Sequence, residues 1–135
     1  MAKEVAMARI LLIEGDRLVR ETVAAVLAAG GHETSLATGP MDAARQFRDQ
    51  RFDLVICDLY MPTKDDGFEA VSALRAVSAA TTPIILMTGS VPVVDGDLGG
   101  PEPLRSIEKG LGPLHVIGKP FRMRDLLAMV TECLA

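Results

Sequence analysis

The stretch DLVICDLYMP, residues 53–62, decides the fold of this chain. Its centre, Leu54 to Cys57, is apolar without polar alternation, and Asp58 follows directly. A short apolar run of this kind predicts a strand buried on both faces. The same pattern of apolar residues followed by a polar one recurs in ILLIE at residues 10–14 and in PIILMT at residues 83–88. Several buried strands with polar carboxyl ends are therefore expected.

Outward from this stretch, apolar strands alternate with segments whose apolar residues recur at helical spacing. Continuous apolar strands that alternate with helices are typical of parallel sheets covered on both sides. We therefore predict an α/β fold, a doubly wound five-stranded parallel sheet with helices on both faces. The expected strands cover residues 8–13, 32–38, 53–58, 83–88 and 114–118, and the expected helices cover 17–29, 40–50, 68–77, 104–111 and 123–134.

The 135 residues fit one domain, with residues 1–7 as a loose extension and residues 8–135 as the folded unit. Residues 89–103 are rich in Gly and Pro, which predicts a long loop. The net charge of -4 disfavours direct nucleic-acid binding, because phosphates need cations. No apolar stretch reaches the length of a membrane span, and the two cysteines form no CxxC pair, so we expect a cytoplasmic protein without zinc or disulfides.

Polar side chains follow four of the five predicted strands. In doubly wound sheets, ligands bind at the carboxyl ends of the strands, so these side chains are expected to converge. Carboxylates, a hydroxyl and an ammonium group together suit a hard cation and a phosphoryl group. A carboxylate there can also act as the nucleophile that becomes an acyl phosphate. The candidate residues are Glu14, Asp16, Asp58, Thr88 and Lys119.

Five segments in this order resemble the receiver domain of bacterial two-component response regulators. The resemblance runs from about Ala8 to Leu134 and implies the flavodoxin-like receiver fold. The matching segments are ILLIE at 10–14, DLVICDLYMP at 53–62, DGF at 66–68, PIILMT at 83–88 and KPF at 119–121.

The resemblance implies a role for each matching residue. Asp58 matches the phosphoacceptor, which receives a phosphoryl group from a histidine kinase or phosphotransfer protein. Glu14, Asp58 and the backbone carbonyl of Tyr60 match ligands or neighbours of Mg²⁺. Thr88 matches the hydroxyl that bonds the phosphoryl group, and Lys119 matches its ammonium partner. Such a protein is a signalling phosphoacceptor rather than an enzyme, and it signals through a change of its interaction surface.

Two positions depart from the pattern of the family. Gly15 stands where the second metal-binding acid is usual, so we expect weaker Mg²⁺ binding and slower phosphorylation. Asp16, one residue later, is either a replacement ligand or the N-cap of the following helix. Val116 stands where the family often has an aromatic switch residue, which removes the usual ring movement.

These departures leave two functional readings open. The first is a phosphorylatable receiver whose output is a protein contact or a phosphoryl relay, or comes from an output domain outside this chain. Whether it forms a homodimer stays open. The second is a divergent pseudo-receiver that binds a protein partner without phosphorylation. A phosphatase that forms an aspartyl phosphate is disfavoured, because Tyr60 stands where its general acid would be expected.

Overall fold

The computed structural model describes residues 7–58, 72, 75–76, 82–88, 93–94, 97–98, 114–118 and 120–135. Its main sheet has five strands, all parallel, which lie side by side in the order Glu33–Ala37, Arg9–Ile13, Leu54–Asp58, Ile84–Thr88 and Leu114–Gly118. The predicted doubly wound parallel fold is confirmed. The strands of this sheet are β1 Arg9–Ile13, β2 Glu33–Ala37, β3 Leu54–Asp58, β4 Ile84–Thr88 and β7 Leu114–Gly118.

Three helices are described in full, and they lie on both faces of the sheet. They are α1 Arg17–Ala29, α2 Pro40–Asp49 and α3 Met123–Leu134. One core joins α1 and α3 to a single face of the sheet, because Leu27 and Leu126 pack in the same buried cluster as Ile10, Leu12 and Ile56. Helix α2 buries Ala43 and Phe47 and packs against β1 and β2. The central strands are thus covered on both sides, which explains their continuous apolar sequences.

Both ends of α1 follow from local chemistry. Asp16 is the N-cap, and its Oδ1 accepts a hydrogen bond of 3.0 Å from the backbone N–H of Val19. At the other end, Gly31 has a φ of 89°, a left-handed conformation that favours glycine. There the N–H groups of Gly31 and His32 donate to the carbonyls of Ala28 and Leu27. Both ends of the helix are therefore capped by hydrogen bonds, and its first residues lie next to the carboxyl end of β1.

The prediction of a plain loop over residues 89–103 is wrong in one respect. Two short strands, β5 Val93–Val94 and β6 Asp97–Leu98, form an antiparallel pair inside it, and both lie close to the edge strand β7. The sequence signal was Asp95-Gly96 between two short strand-forming segments, a two-residue connection that favours hairpins. The loop prediction rested on the Gly and Pro residues of this segment and did not include the hairpin signal.

Three other predicted elements fall partly or wholly on undescribed residues. In the predicted helix over residues 68–77, Ser72, Arg75 and Ala76 are helical. The predicted helix over residues 104–111 lies outside the described residues, as do residues 1–6 of the predicted extension. The division into an extension and a domain therefore stays a prediction.

Candidate functional site

The site lies where β1 and β3 end side by side. Ile13 pairs with Cys57 in the parallel register, so the next residues, Glu14 and Asp58, follow at matching positions. Asp58 in turn pairs with Met87, the residue before Thr88. Adjacent strands are about 4.8 Å apart, which brings the carboxylates of Glu14 and Asp58 to one edge of the sheet.

Glu14 is held at this edge by its surroundings. Its side chain is nearly inaccessible to solvent, at 1 % exposure, and its Oε1 accepts a hydrogen bond of 3.0 Å from the backbone N–H of Asp16. The backbone N–H of Glu14 donates to the carbonyl of Ala37, 3.1 Å away, at the end of β2. The carboxylate is therefore oriented by the turn that follows it. A buried carboxylate placed in this way is suited to a charged partner.

Asp58 is the last residue of β3 and is 2 % exposed. It lies on the same face of the strand as Leu54 and Ile56, since residues two apart share a face. The negative charges at this edge of the sheet affect the pKa of the neighbouring thiol of Cys57. Burial raises the pKa of Cys57, and the negative charges of Asp58 and then Glu14 raise it further. Two acidic residues thus act on one buried thiol at the ends of adjacent strands.

Gly15 supplies no carboxylate to the site, and the carboxylate of Asp16 caps helix α1. Gly15 is exposed and carries no side chain, and Asp16 is exposed with its Oδ1 bonded to the N–H of Val19. The N-cap interpretation of Asp16 is thereby confirmed. A role for Asp16 as a metal ligand stays a prediction, and it would compete with the cap.

The remaining predicted site residues are only partly covered by the described structure. Thr88 ends β4 and pairs with Gly118, the last residue of β7, so Lys119 follows directly beyond that pair. The backbone thus brings Thr88 to the same edge as Asp58. Lys119 and Tyr60 lie outside the described residues, and so do the side chains of Thr88 and Val116. Their roles stay predictions.

The donor chemistry of this edge fits a hard divalent cation. Carboxylate oxygens are the ligands that Mg²⁺ prefers, and Glu14 and Asp58 place two carboxylates on neighbouring strands. Within the described part of the chain, no three His, Cys, Asp or Glu residues are grouped so that they could hold a metal ion. A cation here would thus depend on two carboxylates, on carbonyl oxygens and on water.

Arg20 is a residue that the sequence-based interpretation missed. Its Nη1 donates to the carbonyl of Glu14, 2.9 Å away, and to the carbonyl of Gly15, 3.4 Å away. The available signal was its position near the start of α1, where the helix dipole disfavours a cation. A basic residue there indicates nearby carbonyl or carboxylate partners. Here the partners are the carbonyls at the edge of the site.

Comparison with known proteins matches residues 10–131 to the family described as the response regulator receiver domain. The chain is 32% identical over 122 residues to the DNA-binding response regulator MtrA of Mycobacterium tuberculosis, covering 90% of this chain and 48% of MtrA. It is 30% identical over 123 residues to the transcription factor SKN7 of Candida albicans, covering 91% of this chain and 20% of SKN7. The chain thus spans half or less of the length of these curated relatives.

Solved structures give the same fold. The chemotaxis protein CheY4 of Vibrio cholerae superposes with a TM-score of 0.78 at 28% identity, covering 96% of this chain and all of CheY4. The receiver domain of the sensor histidine kinase PA1611 of Pseudomonas aeruginosa superposes with a TM-score of 0.75 at 25% identity, covering 96% and 98% of the two chains. That second structure has a magnesium ion coordinated in its active-site cleft. Among the described helices of the present chain, none is long and apolar enough to cross a membrane.

Proposed function

This chain belongs to the response regulator receiver domain family, and from that membership we propose that it accepts a phosphoryl group on Asp58. The observation that carries the proposal is the pair of buried carboxylates, Glu14 and Asp58, at the ends of adjacent parallel strands. A histidine kinase or a phosphotransfer protein is the proposed donor. The chain is then a phosphoacceptor in a signalling pathway, and its proposed chemistry extends no further than phosphotransfer to itself and hydrolysis of its own acyl phosphate.

The transfer itself requires one nucleophile. A carboxylate oxygen of Asp58 attacks the phosphorus of a phosphohistidine, and an O–P bond forms while the P–N bond breaks. The electron pair of the broken bond stays on the imidazole nitrogen of the donor, which takes up a proton. Asp58 is suited to this role because the sheet and its burial hold the carboxylate in one place before the donor arrives.

Glu14, Asp58 and the backbone carbonyl of Tyr60 are the proposed residues that hold Mg²⁺. When bound, the ion neutralises negative charge on the phosphoryl oxygens and so lowers the barrier to transfer. The buried carboxylate of Glu14, oriented by the Asp16 N–H, supports this assignment. Since Gly15 supplies no carboxylate, we expect the affinity for Mg²⁺ to be lower than in a receiver with an acid there.

Thr88 and Lys119 are the proposed partners of the phosphoryl oxygens, as a hydroxyl donor and as a positive charge. Thr88 is the last residue of β4, which lies beside β3, and Lys119 follows β7 in the sequence, which supports their inclusion. Their engagement would bias a two-state equilibrium and alter a surface of the domain. The proposed output is a protein contact, a homodimer or an output domain outside this chain, in the cytoplasm of a bacterium.

The proposal is tested by incubating the protein with Mg²⁺ and a small acyl phosphate and measuring its intact mass. We expect one phosphoryl adduct on the native chain and none on Asp58→Asn. Asp53→Asn is the matched control, because Asp53 precedes the same strand and its Oδ2 only accepts the backbone N–H of Arg9, a role that the Asn oxygen keeps. Absence of an adduct on the native chain at saturating Mg²⁺, or an adduct on Asp58→Asn, contradicts the proposal.

A second candidate function is a pseudo-receiver that binds its partner without phosphorylation. The observation that favours it is the use of the Asp16 Oδ1 as a helix cap beside Gly15, a use that would compete with metal binding by the same carboxylate. In that case a partner binds the native chain and the Asp58→Asn variant equally well. The mass measurement separates the two functions, because the pseudo-receiver gives no adduct.

A further inference from the structure

Arg20 connects helix α1 to the loop that carries Glu14. Its Nη1 lies 2.9 Å from the carbonyl oxygen of Glu14 and 3.4 Å from that of Gly15. Its backbone N–H donates to the carbonyl of Asp16, 2.9 Å away, in the first turn of the helix. One residue therefore bonds three consecutive carbonyls of the loop between β1 and α1. The bond to the Glu14 carbonyl is part-buried, which limits competition from water, whereas the bond to the Gly15 carbonyl is exposed.

The loop needs such a restraint because of its sequence. Gly15 has no Cβ and allows a wider range of backbone conformations than any other residue, at an entropic cost when it is ordered. Glu14 receives its orientation from the N–H of Asp16, on the far side of that glycine. If the peptide units around Gly15 rotate, this hydrogen bond is lost and the carboxylate of Glu14 loses its fixed orientation.

The position of Arg20 also has an electrostatic cost that the contacts offset. Cations near the first turn of a helix are disfavoured by the helix dipole, typically by a few tenths of a kcal/mol. For Arg17, in the same turn, an exposed ion pair with Glu21 offsets this unfavourable interaction, with 3.1 Å between Nε and Oε1. Arg20 instead directs its charge at main-chain carbonyls beside the acidic edge. The two arginines on one helix thus have different partners.

We propose that Arg20 is a positioning residue for the phosphoacceptor site. Its guanidinium fixes the peptide units on both sides of Gly15 and thereby keeps the hydrogen bond from the Asp16 N–H to the Glu14 carboxylate, at the strand end beside Asp58. This inference rests on the proposed function only for its effect on Mg²⁺, since the effect on the loop is independent of phosphorylation. Arg20 acts through Glu14 and contacts neither the ion nor the phosphoryl group.

The first measurement is the hydrogen exchange rate of the Asp16 amide, which reports the bond to Glu14 Oε1 directly. We expect Arg20→Gln to speed this exchange by roughly tenfold, because the loop opens more often. Arg20→Lys keeps one donor group, and we expect its Asp16 amide to exchange at a rate between those of the native chain and Arg20→Gln. Arg17→Gln is the matched control on the same helix turn, and it leaves the rate unchanged. An unchanged rate in Arg20→Gln overturns the proposal.

The second measurement is the affinity for Mg²⁺, followed by the fluorescence of Tyr60, the single tyrosine in a chain without tryptophan. In protein shown to be folded by its denaturation midpoint, Arg20→Gln is expected to weaken binding by about threefold to tenfold. Arg20→Lys restores part of the affinity, and Arg17→Gln keeps all of it. Native affinity in Arg20→Gln contradicts the proposal even if the amide exchanges faster.

A mutant cycle with Gly15→Ala tests the stated cause. Alanine restricts the backbone at residue 15, so the loop depends less on the guanidinium. We expect Arg20→Gln to speed the Asp16 exchange less in the Gly15→Ala background than in the native one. Equal effects in both backgrounds contradict a role that works through Gly15. If the native chain binds no Mg²⁺, the proposed function fails, and the exchange measurements still decide the role of Arg20.

Discussion

Three neighbouring residues, Glu14, Gly15 and Asp16, have three different roles at the end of β1. Glu14 is buried and directed by a backbone N–H, Gly15 supplies no side chain, and Asp16 caps a helix. The sequence placed Glu14 at the site and left two roles open for Asp16. Both roles use the same carboxylate and have the same sequence pattern, so the sequence does not distinguish them. The distance of 3.0 Å between the Val19 nitrogen and the Asp16 Oδ1 identifies the cap.

The absence of a carboxylate at residue 15 gives a direct prediction. Gly15→Asp adds an oxygen ligand and a negative charge, and we expect it to raise the affinity for Mg²⁺ by roughly tenfold. The backbone at Gly15 does not require glycine, because in the described part of the chain the glycine with a positive φ is Gly31. An aspartate at residue 15 is therefore compatible with the backbone. Tyr60 fluorescence or calorimetry measures the affinity. Gly15→Asn, which lacks the charge, is the control, and an equal gain in both variants would contradict the charge argument.

Asp16 provides a prediction that separates its two roles. Asp16→Ala removes the bond to the Val19 N–H and is expected to lower the free energy of unfolding by about 1 kcal/mol. Asp16→Asn keeps an acceptor oxygen and most of that stability. Denaturant titration measures both effects. The affinity for Mg²⁺ is expected to be the same in the native chain and in Asp16→Asn, and a marked loss in Asp16→Asn would show that Asp16 is a ligand.

The buried thiol of Cys57 predicts a loss of stability at alkaline pH. Burial, with the charges of Asp58 and Glu14, raises its pKa well above 9.0, the ordinary value that the thiol regains on unfolding. Above pH 9 the folded state keeps the proton and the unfolded state loses it, so stability falls by about 1.4 kcal/mol per pH unit from this group. Denaturation at pH 8 to 10.5 is compared with that of Cys57→Ala. If the free energy of unfolding of Cys57→Ala falls with pH as steeply as that of the native chain, the assignment to Cys57 is contradicted.

At the scale of elements, the five long strands and the three fully described helices could be predicted with ends within about one residue. The central strands β1, β3 and β4 have nearly continuous apolar sequences because helices cover both faces, and each helix has an apolar stripe. The antiparallel pair of β5 and β6 could not be predicted in the same way. Its strands have two residues each, too short for periodicity to register, so only the connecting Asp95-Gly96 indicated it.

The packing of α3 predicts a contrast between two leucines. Leu126 is fully buried between α3 and the sheet, and Leu126→Ala is expected to lower the free energy of unfolding by about 2–5 kcal/mol. Leu18 on α1 is 73 % exposed, so Leu18→Ala is expected to change it by about 0.5 kcal/mol or less. Urea denaturation measures both variants. Similar losses in the two would show that α3 does not pack as described.

At the scale of the whole molecule, the candidate site joins residues that are far apart in the sequence. Their convergence could be predicted because a parallel sheet brings all strand ends to one edge. The register then pairs Ile13 with Cys57 and Thr88 with Gly118, which places Glu14, Asp58 and Thr88 there. The contacts of Arg20 could not be predicted from periodicity, since they depend on the reach of one side chain back over a loop.

The central claim is that Asp58 itself becomes the acyl phosphate, and chemical trapping tests it most directly. After incubation with Mg²⁺ and a phosphodonor, borohydride reduces an aspartyl phosphate to homoserine, and trypsin releases residues 52–64, which contain both Asp53 and Asp58. We predict homoserine at position 58 and intact aspartate at position 53 in the fragment spectrum. Homoserine at another residue, or none in a fully folded native chain, would contradict the account.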